Sequence, residues 1–302
     1  MKRVAVIFVV LTVTSLVVSQ PQSPQKPTSS QPSAAQQGTS QPSTPPAGKR
    51  PPQAKTQPEF DAYKAASANA SDPAAIEKSA DDFSAKYPDS ELRVLLFRAA
   101  MHAYQNANNA DKMLEQAQKV LKVDPDDPEA LIGAAEVIAE RTHETDLDKD
   151  QRYAEAQKDA KHSLETVDTD VPIPAGVPQE KIDAYKGFLR SSAYSILGTL
   201  AFNQKSYPEA EGYFHKSIDA YPAQPDPVVV LRLALALDKQ ERYPDALKEA
   251  NHAVELTQEG TAAGKLARQE RDRLVQLTGG SNAVPASKPP AGAAQTPTPP
   301  QH

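Results

Sequence analysis

The chain contains no cysteine in its 302 residues. That absence excludes disulfides, thiolate metal sites, thiol nucleophiles and the lipidated cysteine of a bacterial lipoprotein. Alternating apolar and polar runs are missing as well, so strands are not expected. The sequence has no glycine-rich phosphate loop, no GxSxG and no HExxH, and so lacks the short motifs that announce nucleotide, acyl-transfer or zinc-protease chemistry. A basic balance is also lacking. Residues 1–58 hold six basic side chains and no acid, which, against a total of −6, leaves −12 for the remainder. An acidic body argues against nucleic acid as a partner, because polyanions need a basic footprint.

What is present falls into four stretches. Lys2 and Arg3 precede the apolar run VAVIFVVLTVTSLVVS, followed at once by Gln20-Pro21. This is the pattern of a secretory signal peptide over 1–19, with Val17-Val18-Ser19 as a small-residue cleavage site. Its alternative is an uncleaved inner-membrane anchor over 4–19, although the run is shorter than the roughly 20 residues a spanning helix prefers. Export without disulfides fits a periplasmic or secreted bacterial protein. Ten prolines lie between Gln20 and Pro58 among Gln, Ser and Thr, and residues 281–302 are similar. Both segments are expected to be disordered, as they carry too little apolar surface to offset ordering entropy. The basic N-terminal arm offers a weak contact to an envelope polymer or membrane surface.

Residues 58–280 show helical periodicity throughout, broken by AKYPDS, KVDPDDP and DAYPAQPDP. Proline stops a helix interior and Asp or Ser caps the next start, so each cluster closes one helix and opens another. Pro88 and Pro125 are 37 residues apart, Tyr207 and Tyr243 36. Such periods mark stacked supersecondary units. SYPEAEGYFHKSI (206–218) has counterparts in RYPDALKEANHAV (242–254) and RYAEAQKDAKHSL (152–164).

Residues 191–222, SSAYSILGTLAFNQKSYPEAEGYFHKSIDAYP, closely resemble a tetratricopeptide repeat. Tyr194, Leu197, Gly198, Ala201, Ala210, Phe214, Ser217 and Pro222 stand at that family's spacing. Leu233 and Ala246 hold corresponding places in 227–257, with Ala250 and Ala253 beyond them. Residues 94–125 and 128–167 match more loosely, the latter with about nine extra residues within RTHETDLDKD. Residues 58–88, with Phe60, Tyr63, Ile76 and Phe83, form a degenerate first unit. The resemblance implies an all-α, right-handed superhelical solenoid of helix pairs, with 264–277 as a capping helix and a long helix from about Lys181 to Asn203. Tyr194, Leu197, Gly198, Ala210, Phe214, Pro222, Leu233 and Ala246 would be its repeat-packing residues.

Carried over residue by residue, the family's concave face falls on Leu95, Arg98, His102, Gln105 and Asn106 in one unit, and on Glu129, Ile132, Glu136 and Glu140 in the next. It continues through Ser192, Ser195, Thr199, Phe202 and Asn203, then Val228, Leu231 and Leu235, the last three serving equally well as packing against the cap. The Lys and Asn set that clamps C-terminal carboxylates in the family is absent. A mixed groove of this kind suits a protein or peptide ligand, either extended or as an amphipathic helix. His162, His215 and His252 sit on second helices of separate units and do not converge as metal ligands must. Glu144, Asp146, Asp148 and Asp150 lack the glycine and final glutamate of a calcium loop. The expectation is therefore a non-catalytic interaction scaffold of the cell envelope, without cofactor or metal. Two other readings stand beside it: a structural envelope protein that contacts peptidoglycan or membrane through its arms, and an accessory subunit of an enzyme.

Overall fold

The computed structural model describes residues 48–279, apart from 69 and 175. The signal-peptide reading, most of the linker and the 281–302 tail lie outside the described residues. Eleven helices follow one another among those described: α1 Gln57–Ser67, α2 Pro73–Lys86, α3 Arg93–Asn106, α4 Ala110–Val123, α5 Pro128–Arg141, α6 Lys149–Thr166, α7 Gln179–Asn203, α8 Tyr207–Ala220, α9 Pro227–Asp238, α10 Tyr243–Glu255 and α11 Ala262–Leu277. The fold is all-α, and its helices pack with their neighbours in the chain: α3 on α2 and α4, α9 on α8 and α10, α11 on α10. None of them is long and apolar enough to cross a membrane. Two compact units are present. The N-terminal unit comprises 48–130 and Glu165–Lys186; the C-terminal unit comprises Leu131–Leu164 and 187–279.

Local chemistry sets the helix boundaries. Asp72 accepts from the amides of Ala74 and Ala75, with Pro73 as the first helical residue of α2. Asp226 accepts from Val228 at 2.8 Å ahead of Pro227 in α9. Both are side-chain N-caps followed by a proline whose missing N–H costs nothing at that position. Three pairs turn between their two helices in the same way. Asn108, Lys205 and Glu241 adopt φ of 54°, 62° and 59°. The following amide in each reaches back five residues: Asn109 to Tyr104, Ser206 to Ala201 and Arg242 to Leu237, at 2.9, 2.9 and 3.1 Å. This is the left-handed helix stop that usually employs glycine, made here three times without it.

Small residues let the paired helices approach. In the C-terminal unit Ala210, Phe214, Leu233, Ala234, Ala246, Ala250 and Leu274 form one buried cluster. A Cβ on Gly198 would lie 2.5 Å from the Phe214 ring, and one on Gly187 2.7 Å from the Ala220 carbonyl oxygen. These two glycines, three turns apart on α7, set its distance from α8. Tyr194 stacks on Tyr213 with centroids 6.5 Å apart, and Leu197 is buried. Ala267 of α11 closes the end against Val230, Leu231 and Ala253, while Lys265, Gln269, Asp272 and Gln276 face water. In the N-terminal unit Ile76, Ala80, Phe83, Phe97, Ala100, Met113, Ala117 and Val120 are buried. A polar tie joins α2, α3 and α4: Glu77 accepts from Tyr104, from Lys112 at 3.0 Å and from the fully buried Gln116 at 3.0 Å.

Two expectations need correcting. Pro222 is exposed; it stands just past the Tyr221 cap of α8, so it punctuates the chain and does not pack. Residues 48–57, assigned by composition to the linker, are held against the N-terminal unit by ion pairs of Lys49 and Arg50.

Two substitutions on α7 and the α9–α10 turn should move stability in opposite directions in denaturant melts of the full chain. Gly198→Ala is expected to destabilise, because about 1–3 kcal/mol of overpacking against Phe214 exceeds the roughly 1 kcal/mol gained in helix propensity. Glu241→Gly is expected to stabilise by about 0.5–1 kcal/mol, by relieving a left-handed residue that carries a Cβ.

Candidate functional site: the face of the first helices

The side chains singled out on the first helices separate into three settings. In the N-terminal unit, Arg98 and His102 lie one turn apart on α3 and meet the residues that open α5. Asp127 caps that helix, accepting from the Ala130 amide at 2.9 Å, and Glu129 follows in its first turn. Arg98 donates to Asp127, and its Nε lies 4.0 Å from Glu129 Oε2. The ring of His102 is 2.8 Å from the same Glu129 oxygen. Tyr185, near the start of α7, donates its hydroxyl to Glu129 Oε1. The side chains of Arg98, Asp127 and Glu129 are 14%, 0% and 15% exposed. This is therefore a mostly desolvated cluster, in which removing one member leaves its partners uncompensated.

Burial acts to raise the pKa of Glu129, but the Arg98 charge and the bonds from His102 and Tyr185 outweigh it and hold the carboxyl down at about 2. Burial pushes the Tyr185 phenol up, and the adjoining Glu129 charge pushes it further. Burial likewise pushes Asp127 up, against the pull of Arg98. An acid so weakened and a base so weakened are poorly matched to proton transfer near neutral pH. Cohesion is what the cluster supplies: it ties α3, α5 and α7 together through one carboxylate. Gln105 and Asn106, further along α3, are half-buried and exposed respectively.

In the C-terminal unit, Ser195, Thr199 and Asn203 run along α7 as half-buried side chains. Thr199 Oγ1 donates to the Ser195 carbonyl at 2.8 Å and accepts from Arg232 of α9 at 2.9 Å. Phe202 turns away from that row; its ring meets Tyr207 edge-on at 5.4 Å and packs on the core cluster. Leu231 is buried against Ala253 and Ala267, with Leu235 beside it. These two leucines thus seat the cap, and Val228 remains exposed.

The histidines of the repeated phrase do not converge. His215 lies 3.9 Å from Glu211 and His252 3.7 Å from Glu249, each pair on its own helix. In the 142–149 turn, Asp146 accepts from the His143 amide at 2.8 Å and Glu144 from Lys149 at 2.9 Å, so these carboxylates cap and bridge locally. Among the described residues no group of three His, Asp or Glu side chains is placed to hold a metal.

Sequence reasoning missed Asp127 and Tyr185 as members of the buried cluster. Asp127 was legible only as a helix cap within KVDPDDP. Tyr185 precedes the first residue of the repeat pattern on α7, so family spacing gave it no role.

No family model matches the chain, and no curated protein matches it. Among solved structures it is similar to one described as the crystal structure of the APC/C hetero-tetramer Cut9-Hcn1, with 13% identity and a TM-score of 0.33, over 74% of this chain and 46% of that one. The chain thus spans less than half the length of that neighbour. Its described residues form consecutive helix pairs with small residues at the crossings and one turn made three times.

Breaking the buried cluster should register as stability. Arg98→Ala is expected to cost about 3–5 kcal/mol, since it leaves Asp127 and Glu129 buried without their cation. The folded pKa of Glu129 lies below its unfolded value of roughly 4.3. Its contribution is therefore complete above that value and is lost as pH falls toward 2. Glu129→Gln should flatten the acid limb of the stability–pH curve between about pH 4.5 and 2. Asp127 titrates in both proteins, so an unchanged acid limb would show that Glu129 is not held ionised.

Proposed function

We propose that the protein is a non-catalytic interaction scaffold of the cell envelope, and that it binds a protein or peptide along the face of its first helices. The observation that carries this reading is the row Ser195, Thr199 and Asn203 on α7 with Arg232 beside it on α9. It presents hydroxyl, amide and guanidinium groups on a rigid surface whose second helices are occupied by core packing. Preformed polar groups on rigid elements lower the ordering cost of binding an extended segment. In the N-terminal unit, Arg98 and His102 already engage Asp127 and Glu129, so they serve that unit's cohesion. The acidic balance beyond residue 58 favours a protein partner over a nucleic acid. The envelope assignment rests on the basic-then-apolar leader pattern of residues 2–19 and on the lack of cysteine.

Site-specific photo-crosslinking in cells tests the face. A benzophenone side chain at 195, 199 or 203 should yield one discrete adduct, whereas the same group at the exposed Gly212 of α8 or Lys248 of α10 should yield none. Equal adducts from 212 and 248, or none from the α7 row, would sink the assignment. Arg98 is unsuitable for this test, since its loss unsettles the fold. Mass spectrometry of the purified native protein tests export, with a mature chain beginning at Gln20 as the expected result. A cytoplasmic chain that retains Met1 would count against the envelope.

A further inference from the structure

The segment just before α1 follows a path that its composition does not announce. Pro51 and Pro52 bias the preceding backbone toward extended conformations, and Lys49 pairs as an isolated parallel bridge with Pro172. The Ile173 amide donates to the Lys49 carbonyl at 3.3 Å. Gly48 lies so close to the 171–173 loop that a Cβ there would be 2.4 Å from the Ile173 side chain. Charge does the rest. Lys49 Nζ reaches both Asp124 oxygens at 2.7 and 2.8 Å and Asp170 at 3.4 Å. Arg50 makes a two-pronged pair with Glu91 at 2.6 and 2.8 Å, and the Gln53 amide adds a third bond to that carboxylate at 3.2 Å. Glu91, Asp124 and Asp170 come from the α2–α3, α4–α5 and α6–α7 connections, which are the loops between successive helix pairs.

We infer that this inter-repeat edge is an acidic binding site for an extended basic segment, and that its occupant is the chain's own 48–53, which acts as a releasable strap. Several features argue for release. The Arg50–Glu91 pair is exposed, the Lys49 side chain is 39% exposed, and the flanking Pro51 and Pro52 are only half-buried. Ion pairs of that kind weaken with ionic strength, because the screening length falls from about 10 Å at 0.1 M to about 3 Å at 1 M. A backbone bridge one residue long cannot by itself hold an extended strand against its conformational entropy. The three carboxylates therefore set the closed population. Release uncovers them as a site open to any competing basic peptide.

Limited trypsinolysis of the full chain reads the strap directly. Cleavage after Lys49 requires the carbonyl that Ile173 now holds, whereas the Arg50–Pro51 bond resists the protease in any state. The rate of appearance of the fragment ending at Lys49 is compared with cleavage of a synthetic 44–56 peptide under the same conditions. At 0.1 M salt the full chain should be cut at least about tenfold more slowly than the peptide. The doubly substituted Glu91→Gln, Asp124→Asn chain, and separately the unaltered chain at 1 M salt, should each recover about tenfold in relative rate. Exchange of the Ile173 amide should accelerate in parallel. The salt arm needs no substitution, so a variant that folds poorly leaves the test intact. Cleavage as fast as the peptide at 0.1 M would overturn the closed strap. Slow cleavage indifferent to both salt and substitution would overturn its release by charge.

Discussion

Close approach of two helices is the constraint on which every other feature here depends. Ala80, Ala117, Ala156, Ala210, Ala246 and Ala250 are fully buried, and in the best-formed pair Gly198 leaves no room for a methyl group against Phe214. A small side chain on one helix lets a large one on its partner cross the axis, which places both helices within van der Waals range along much of their length. Packing this tight fixes which face of each first helix remains outside the core. The row of Ser195, Thr199 and Asn203, and the inward turn of Phe202, follow from where Gly198 and Ala201 must sit.

Charge is used in two different ways on this frame. Inside, Glu129 gathers Arg98, His102 and Tyr185, and Glu77 gathers Tyr104, Lys112 and Gln116. Each of these carboxylates is largely shielded from water and gathers several donors, so it adds specificity of position to the helices that it joins. Outside, Asp124 and Glu91 hold the Lys49 and Arg50 side chains of the 48–53 segment. The first kind of contact is costly to break from one side; the second yields to salt.

The sequence made the helix pairs legible because proline, aspartate and the small residues act locally and at a fixed period. α7, expected from about 181 to 203, runs from Gln179 to Asn203, and the cap expected at 264–277 begins at Ala262. The buried cluster was not legible, since periodicity assigns a residue to a face and says nothing of what crosses that face. The family resemblance placed Arg98 and Glu129 in the groove, yet each is the other's counter-charge. Composition also misjudged 48–57: reading disorder from a shortage of apolar side chains overlooks a segment held by three carboxylates and one backbone bond. Leu231 and Leu235 were open to two readings, and the nearby Ala267 of the last helix decides in favour of the cap.

The place where Lys49 is fastened has a consequence for reach. A chain that first met the body at the start of α1 would do so at residue 57, whereas this chain is moored eight residues earlier, at Lys49 beside the α6–α7 connection. Extended chain spans about 3.3–3.6 Å per residue, so opening those eight residues would let Lys49 lie about 26–29 Å from the start of α1. How far Lys49 can stand from the body is therefore set by the ion pairs of two basic side chains.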